Sequence, residues 1–338
     1  AGRSFKEISD AERGRKMKVK EIAVPEVMAQ EKKNKKKWQV RLKHNLVRNR
    51  WAYVMIGPVI VWFLIFCYWP MTYLGMAFYD YKFLKGFAGS DFIWLDNFKE
   101  FFSARGDAWN IIWNTLAINL LALAFVFPAP IIFALLNELR LKAFKTGVQI
   151  IMYLPHFLST TAFVAFIINF LSPSLGPIGQ LFSRWGLEPI YFMGEAKYFR
   201  GIQVVSGIWQ TMGWNSIVYV AALAGVDTEM YAARVDGANR WNIVFRITLP
   251  SILPTIMIML IMQLGHILGS NFEKVYLMQN TMNLSVSEVL STYVYKQAIQ
   301  KGEYGLSTAA GLFNSMISLV FVLGSNWLSK KFTETGLF

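Results

Sequence analysis

Histidine and cysteine, the residues most used for metal and thiol chemistry, are scarce in this chain of 338 residues: His44, His156, His266 and Cys67. The three histidines lie far apart and form no zinc-ligand spacing. A single thiol makes no disulfide within one chain, and Cys67 reads as a small apolar residue inside an apolar run. No G-x-x-x-x-G-K-[ST] occurs, so the chain has no phosphate-cradling loop of its own. What remains is a set of polar side chains standing in long apolar stretches: Asn114, Asn119, Gln149, His156, Asn169, Gln203, Gln210, Asn215, Gln263, His266 and Asn271. Polar groups in such surroundings are costly and face either a cavity or a neighbouring helix. Facing a cavity, amides, hydroxyls and tryptophan rings without acids suit a neutral or weakly charged carbohydrate. Facing a neighbour, they tie helices together at about 0.6–2 kcal/mol per bond.

The stretches that carry them are long. Reading between charged residues gives six runs, Trp51–Tyr79, Ala108–Asn137, Thr146–Ser183, Gly201–Val226, Ile247–Phe272 and Tyr304–Ser329, each of at least 26 residues. Roughly 20 apolar residues cross a hydrocarbon core of about 30 Å, whereas an amphipathic soluble helix carries polar residues along its wet face. Composition agrees, with 54% apolar and 16% charged residues against about 25% charged in a soluble domain. The expectation is an all-α integral membrane protein with six transmembrane helices over residues 51–329. The third run is too long for one span. Its segment FLSPSLGP, Phe170–Pro177, is a turn signal, so the third helix is expected to end near Leu171. Val286–Gln300 is expected as a short interfacial helix. Pro58, Pro70, Pro128, Pro130 and Pro155 mark kinks, which membrane helices tolerate because neighbours satisfy the freed backbone groups.

Charge is unevenly placed. Residues 1–50 hold 16 Lys and Arg against 6 Asp and Glu, a net +10 of the chain's +13. This arm precedes the first span, where basic residues mark the cytoplasmic side, and it suits anionic headgroups rather than nucleic acid. Loop 137–146 (Arg140, Lys142, Lys145), loop 227–246 (Arg234, Arg240, Arg246) and the tail 330–338 (Lys330, Lys331) then fall on the same side. The opposite loops, near 80–107, 184–200 and 273–303, are longer and of mixed sign. The first apolar run begins 50 residues in and is too long for a cleavable signal, so it reads as an uncleaved span.

The loop between the fourth and fifth runs, 227–250, reads Tyr231-Ala-Ala-Arg-Val-Asp-Gly-Ala-Asn-Arg-Trp-Asn-Ile-Val-Phe-Arg-Ile-Thr-Leu-Pro250 after its first residues. Tyr231–Val235 forms a good short helix, Gly237 a helix end, and Trp241–Leu249 a second amphipathic stretch. A short helix pair projecting from a membrane suits a groove on a partner protein. This segment resembles the EAA loop of binding-protein-dependent ABC permeases. Ala232, Ala233, Asp236, Gly237, Ala238, Ile247, Leu249 and Pro250 match in type and spacing, while Tyr231 stands where the family usually has Glu. FPAPIIFALLNELR (127–140), YLPHFLST (153–160) and ITLPSILP (247–254) are similar to the sugar-type permeases, in the branch that serves oligo- and polysaccharide importers. The resemblance runs from about residue 50 onward.

The resemblance implies the type I importer permease fold in the bacterial cytoplasmic (inner) membrane, multi-pass, with both termini cytoplasmic. It implies a non-catalytic subunit that forms half of a carbohydrate translocation path. Its partners would be a second permease subunit, two ATPase subunits that hold ATP and Mg, and an extracytoplasmic substrate-binding protein. This chain itself would hold no cofactor. Coupling to the ATPase would fall to Tyr231, Ala232, Ala233, Asp236, Gly237 and Ala238. The substrate path would fall at His156, Gln210, Trp214, Gln263, His266 and Asn271. Gln263 and Asn271 lie two turns apart if one helix carries both, and would then share a face. For an anionic cargo such as a uronic-acid oligomer, His156 and His266 would be the natural partners. A secondary transporter or channel would instead need Asp, Glu or Arg within the runs, and a membrane enzyme a catalytic cluster near an interface. The sequence has neither.

Overall fold

The computed structural model describes residues 48–103, 107–138, 142–226, 237–265 and 271–333. The basic arm before residue 48 and the last residues of the tail therefore lie outside the described residues. The chain divides into two units, with the boundary between Tyr73 and Leu74. In the first, α1 (Arg50–Phe63) continues through a π turn, Leu64–Tyr68, into a 3-10 stretch that begins at Trp69.

The second unit is helical apart from a two-residue ribbon. In that ribbon β1 (Tyr79–Asp80) pairs antiparallel with β2 (Asp91–Phe92), Tyr79 opposite Phe92. The helices are α2 (Asp96–Phe102), α3 (Ala108–Leu121), α4 (Pro128–Glu138), α5 (Lys142–Tyr153), α6 (Thr160–Phe170), α7 (Pro177–Arg184) and α8 (Ala196–Leu223). They continue with α9 (Arg240–Ile243), α10 (Leu249–Gly265), α11 (Phe272–Met278), α12 (Leu284–Ser287), α13 (Leu290–Tyr295) and α14 (Tyr304–Thr333). Burial is inverted relative to a soluble protein. Ile150, Ile151, Met316, Leu319, Val320 and Leu323 are each more than half exposed, while Asn114 and Asn283 are fully buried. Apolar exposure on this scale marks contact with lipid or with another subunit.

Among the described residues four helical stretches are long and apolar enough to cross a membrane: Arg50–Phe78, Ala108–Leu136, Trp241–Gly265 and Tyr304–Trp327. Gly147–Phe157 and Thr160–Phe170, bent by 109° where they meet, make a fifth if taken as one span. The sixth expected span is α8. Its 28 residues extend about 42 Å at 1.5 Å each, which is ample. It falls short in apolarity because Gln203, Ser206, Gln210, Thr211, Asn215 and Ser216 all lie in it.

The prolines leave a common signature. Three of the four π turns among the described residues end two positions before a proline: Leu64–Tyr68 before Pro70, Ala122–Val126 before Pro128, and Val244–Thr248 before Pro250. In each, the residue just before the proline donates its N–H five residues back, Trp69 to Leu64, Phe127 to Ala122 and Leu249 to Val244. A proline ring crowds the carbonyl four residues back and supplies no N–H. Widening the helix by one residue relieves that crowding without a break. Pro155 acts differently. It lies in a 3-10 turn, Leu154–Phe157, after which Ser159 caps α6 by accepting the Ala162 N–H at 3.2 Å. The third helix then ends at Phe170 with Leu171 as its cap residue, where the turn signal placed it.

The expected helix 286–300 is corrected to α12, a break, then α13 followed by a π turn. Val289 is extended at the break because the Thr292 hydroxyl accepts its N–H at 3.0 Å, and the Leu290 N–H reaches across to Thr115 Oγ1 at 2.8 Å. Leu290 and Thr292 are fully buried, so the middle of this segment packs inside the protein, while Ile299 near its end is exposed.

Candidate translocation cavity

The polarity of α8 has a direction. Gln203, Gly207, Gln210, Thr211 and Asn215 each lie three or four residues from another of the set, on one broad face, and line a cavity of about 200 Å³. The facing wall comes from the proline-widened junction of α3 and α4 (Ala122, Val126, Phe127, Pro130), from Met259 and Gln263 of α10, and from Asn271 and Lys274. Tyr219, further along α8, lines it as well. Among the described residues no carboxylate lines this cavity, and Lys274 is the charged residue that does.

Lys274 sits on α11, outside the spans. It is 4% exposed, between Glu273 and Val275 in sequence but on the same helical face as Val275 and Met278, each 1% exposed. Its ammonium donates to the Gln203 carbonyl at a long 3.4 Å and lies 5.6 Å from the centre of the Phe163 ring. None of the ion pairs among the described residues includes it. Neighbouring Glu273 is exposed and accepts the Thr161 hydroxyl at 3.4 Å. Burial without a counter-charge disfavours the ammonium and pulls its pKa down to about 7.

The short α11 is held in place by amides. Asn283 donates to the Met278 carbonyl at the end of α11 and to the Met193 carbonyl ahead of α8, both at 3.1 Å. Gln203 donates to the Met278 sulfur at 3.1 Å. A second group anchors the same region: Asn114 donates to the carbonyls of Ser285 (2.9 Å) and Glu288 (3.1 Å) and accepts from Arg200 at 2.9 Å. Asn119 and Asn169 bond back to carbonyls of their own helices, Thr115 and Ala165.

The expected path residues therefore fall into two places. Gln210, Gln263 and Asn271 meet in the cavity. His156 and Trp214 meet outside it, ring on ring at 4.5 Å with 6° between planes, and Phe157 stands edge-on to the same indole at 5.6 Å. That contact is possible because α8 passes very close to α5. A Cβ on Gly213 would collide with the Met152 carbonyl. The helical arithmetic for Gln263 and Asn271 does not hold, because Asn271 has a left-handed φ of 70° and stands ahead of a separate helix, α11. The two side chains share the cavity by tertiary placement instead. His266, Tyr231, Ala232, Ala233 and Asp236 lie outside the described residues.

Residues 126–334 match the family described as the binding-protein-dependent transport system inner membrane component. The chain belongs to this family. As such the permease is a multi-pass membrane subunit and not an enzyme. The protein LplB of Bacillus subtilis (strain 168) is 42% identical over 89% of this chain and 94% of its own length. The polygalacturonan/rhamnogalacturonan transport system permease protein YteP of the same strain is 37% identical over 95% of this chain and 100% of its own. A crystal structure of a bacterial ABC transporter involved in the import of the acidic polysaccharide alginate contains a chain of the same fold. It has a TM-score of 0.80 and 40% identity, covering 87% of this chain and 99% of that one. The bacterial alginate transporter in complex with an alginate pentasaccharide-bound periplasmic protein gives the same TM-score at 41% identity. The ABC importer permease fold expected from the resemblance is thus the fold of this permease.

Sequence reasoning missed Lys274, because reading between charges ended the fifth run at Phe272 and assigned the lysine to an outward loop. A signal was present. Lys274, Val275 and Met278 follow the three-four spacing of one buried helical face.

Proposed function

We propose that the permease forms half of the translocation path of an ABC importer for oligosaccharides derived from acidic polysaccharides. A second permease subunit would supply the other half. An extracytoplasmic binding protein would load the cavity from outside, and two ATPase subunits, with their ATP and Mg, would drive alternating access. Both termini and loop 227–250 would face the cytoplasm. The cavity chemistry supports a sugar cargo, since Gln203, Gln210, Asn215, Gln263 and Asn271 offer amide donors and acceptors to hydroxyls. Two relatives support the acidic class by what their names record, polygalacturonan and alginate.

The observation that carries the coupling role is a continuous packed link from the loop to the cavity. Ala238, Ile247 and Leu249, three of the residues that match the EAA pattern, pack on a core formed by Ile131, Ala134, Tyr219, Leu223, Val226, Ile243 and Ile252. Tyr219, 1% exposed, belongs to that core and also lines the cavity. Packed cores move as discrete units rather than deforming smoothly, so displacement of the loop by an ATPase would reach the cavity wall. Gly237 has φ 78°, the left-handed conformation of a glycine that ends a helix. It fits the expected short docking helix before it.

The test uses the assembled importer in proteoliposomes. Gly237→Trp should abolish both transport and the stimulation of ATP hydrolysis by loaded binding protein. Stimulation at the wild-type level in that variant, or purification of the tagged permease from its native membrane without an ATPase subunit, would overturn the proposal.

A further inference from the structure

We infer that Lys274 is the residue by which the cavity selects carboxylate-bearing sugars over neutral ones. The inference rests on the carbohydrate reading above and adds the group that senses charge. In the sequence that part fell to His156 and His266, but His156 is stacked on Trp214 away from the cavity. Among the described residues Lys274 is the cation at the cavity.

Three observations converge on it. First, its position is one that packing alone would fill with an apolar residue. Val275 and Met278 on the same face belong to the core with Phe163, Val164 and Phe199, and burying an ammonium there without an anion is costly. Second, the lysine is not already neutralised. Its contacts are a long bond to the Gln203 carbonyl and the face of Phe163. Among the described residues no acidic side chain lines the cavity, and the adjacent Glu273 engages Thr161 instead. Third, the ammonium opens on the cavity. A Cβ placed on Gly207, which lines the cavity from α8, would lie 3.6 Å from Nζ, so the absent side chain leaves the charge reachable. A carboxylate entering here would form a charge-assisted hydrogen bond in a desolvated setting, where such bonds are strongest. The surrounding amides would take the hydroxyls. A neutral sugar would leave the ammonium without its anion.

The experiment uses the complete importer with its binding protein in proteoliposomes. The probes are tetragalacturonate and its carboxyl-reduced, neutral counterpart. Because the binding protein is the same throughout, any change in the acid-to-neutral uptake ratio between variants belongs to the permease. Lys274→Met, close in length and apolar, should lower that ratio by roughly tenfold or more. Lys274→Arg, which keeps the charge, should restore most of it. Assembly of each variant is checked by co-elution of all subunits. Two results would overturn the inference: an unchanged ratio in an assembled Lys274→Met importer, or equal loss of both probes in the Met and Arg variants, which would mark a purely structural lysine. A wild-type importer that takes up neither probe would overturn the carbohydrate reading itself, an outcome visible before any variant is made.

Discussion

Two groups of polar side chains lie beside α8 and the segment ahead of it, one buried and one lining the cavity, and they differ in what surrounds them. In the buried group, Asn114 and Asn283 use their amides to the full. Asn114 makes two donor bonds and accepts from Arg200. Asn283 donates to Met193 and Met278 and accepts from the Asn280 N–H and the Ser287 hydroxyl, both at 3.0 Å. From Gln203 onward the same residue type turns toward open space, and Gln210, Gln263 and Asn271 line the cavity with Lys274. Residue type alone does not separate scaffold from path. What separates them is whether neighbouring backbone has already taken up the hydrogen-bonding capacity of the amide. A saturated amide fixes geometry, and one facing a void remains available to a passing ligand.

The largest expected effect lies on the saturated side. Asn283→Leu removes the partners of two carbonyls, an N–H and a hydroxyl in a fully buried place. Leaving buried groups unsatisfied costs about 1–3 kcal/mol each. Even with partial relaxation the loss should exceed about 3 kcal/mol and show as a large drop in the melting temperature of the purified importer in detergent. Retained stability would break the comparison, since Asn283 would then be no more structural than the cavity amides. On the open side, Gln263→Leu should leave the melting temperature within a few degrees and lower oligosaccharide uptake several-fold, chiefly through a higher KM. That is the pattern of a lost ground-state contact. A loss of stability comparable to that of Asn283→Leu would move Gln263 into the scaffold.

Much of this arrangement was legible in the residues. Runs free of charge located the four stretches long and apolar enough to cross a membrane and the bent pair, and FLSPSLGP marked the end of the third helix at Phe170. The pattern from Ala232 to Pro250 pointed to the family. Three further features were illegible for separate physical reasons. Lys274 was read as solvated because charge is normally a surface signal, yet here tertiary packing buried it on the face of Val275 and Met278. Asn271 was read as helical because nothing in its neighbours announces a left-handed φ of 70°. The stack of His156 on Trp214 depends on a 109° bend between Gly147–Phe157 and Thr160–Phe170. Pro155 hints at such a bend, but its angle is set by the Ser159 cap and the close passage of α5 at Gly213. Conversely, α8 stands out as a candidate span by its lack of charge but not by its hydropathy. The amides that lower its hydropathy include those that line the cavity.

The smallest expected effect sharpens the line between scaffold and path. His156 and Trp214 are neither saturated by backbone nor open to the cavity. They pack on each other at 4.5 Å, and both rings keep some exposure. An aromatic pair of this kind contributes about 0.5–1.5 kcal/mol beyond its burial. His156→Leu keeps the volume and loses the stack, so the melting temperature should fall by only a few degrees and uptake should stay within about twofold of the wild type. The direction of any larger change is informative. If uptake collapses while stability holds, the ring pair belongs to the path, and the route would then run along both flanks of α8 rather than along the face of Gln203, Gln210 and Asn215. That result would also make the bend at Pro155 part of the transport machinery, because the bend brings His156 to Trp214. A small effect leaves the cavity amides and Lys274 as the surface a sugar meets, with the stacked rings serving to hold the bent third span against α8.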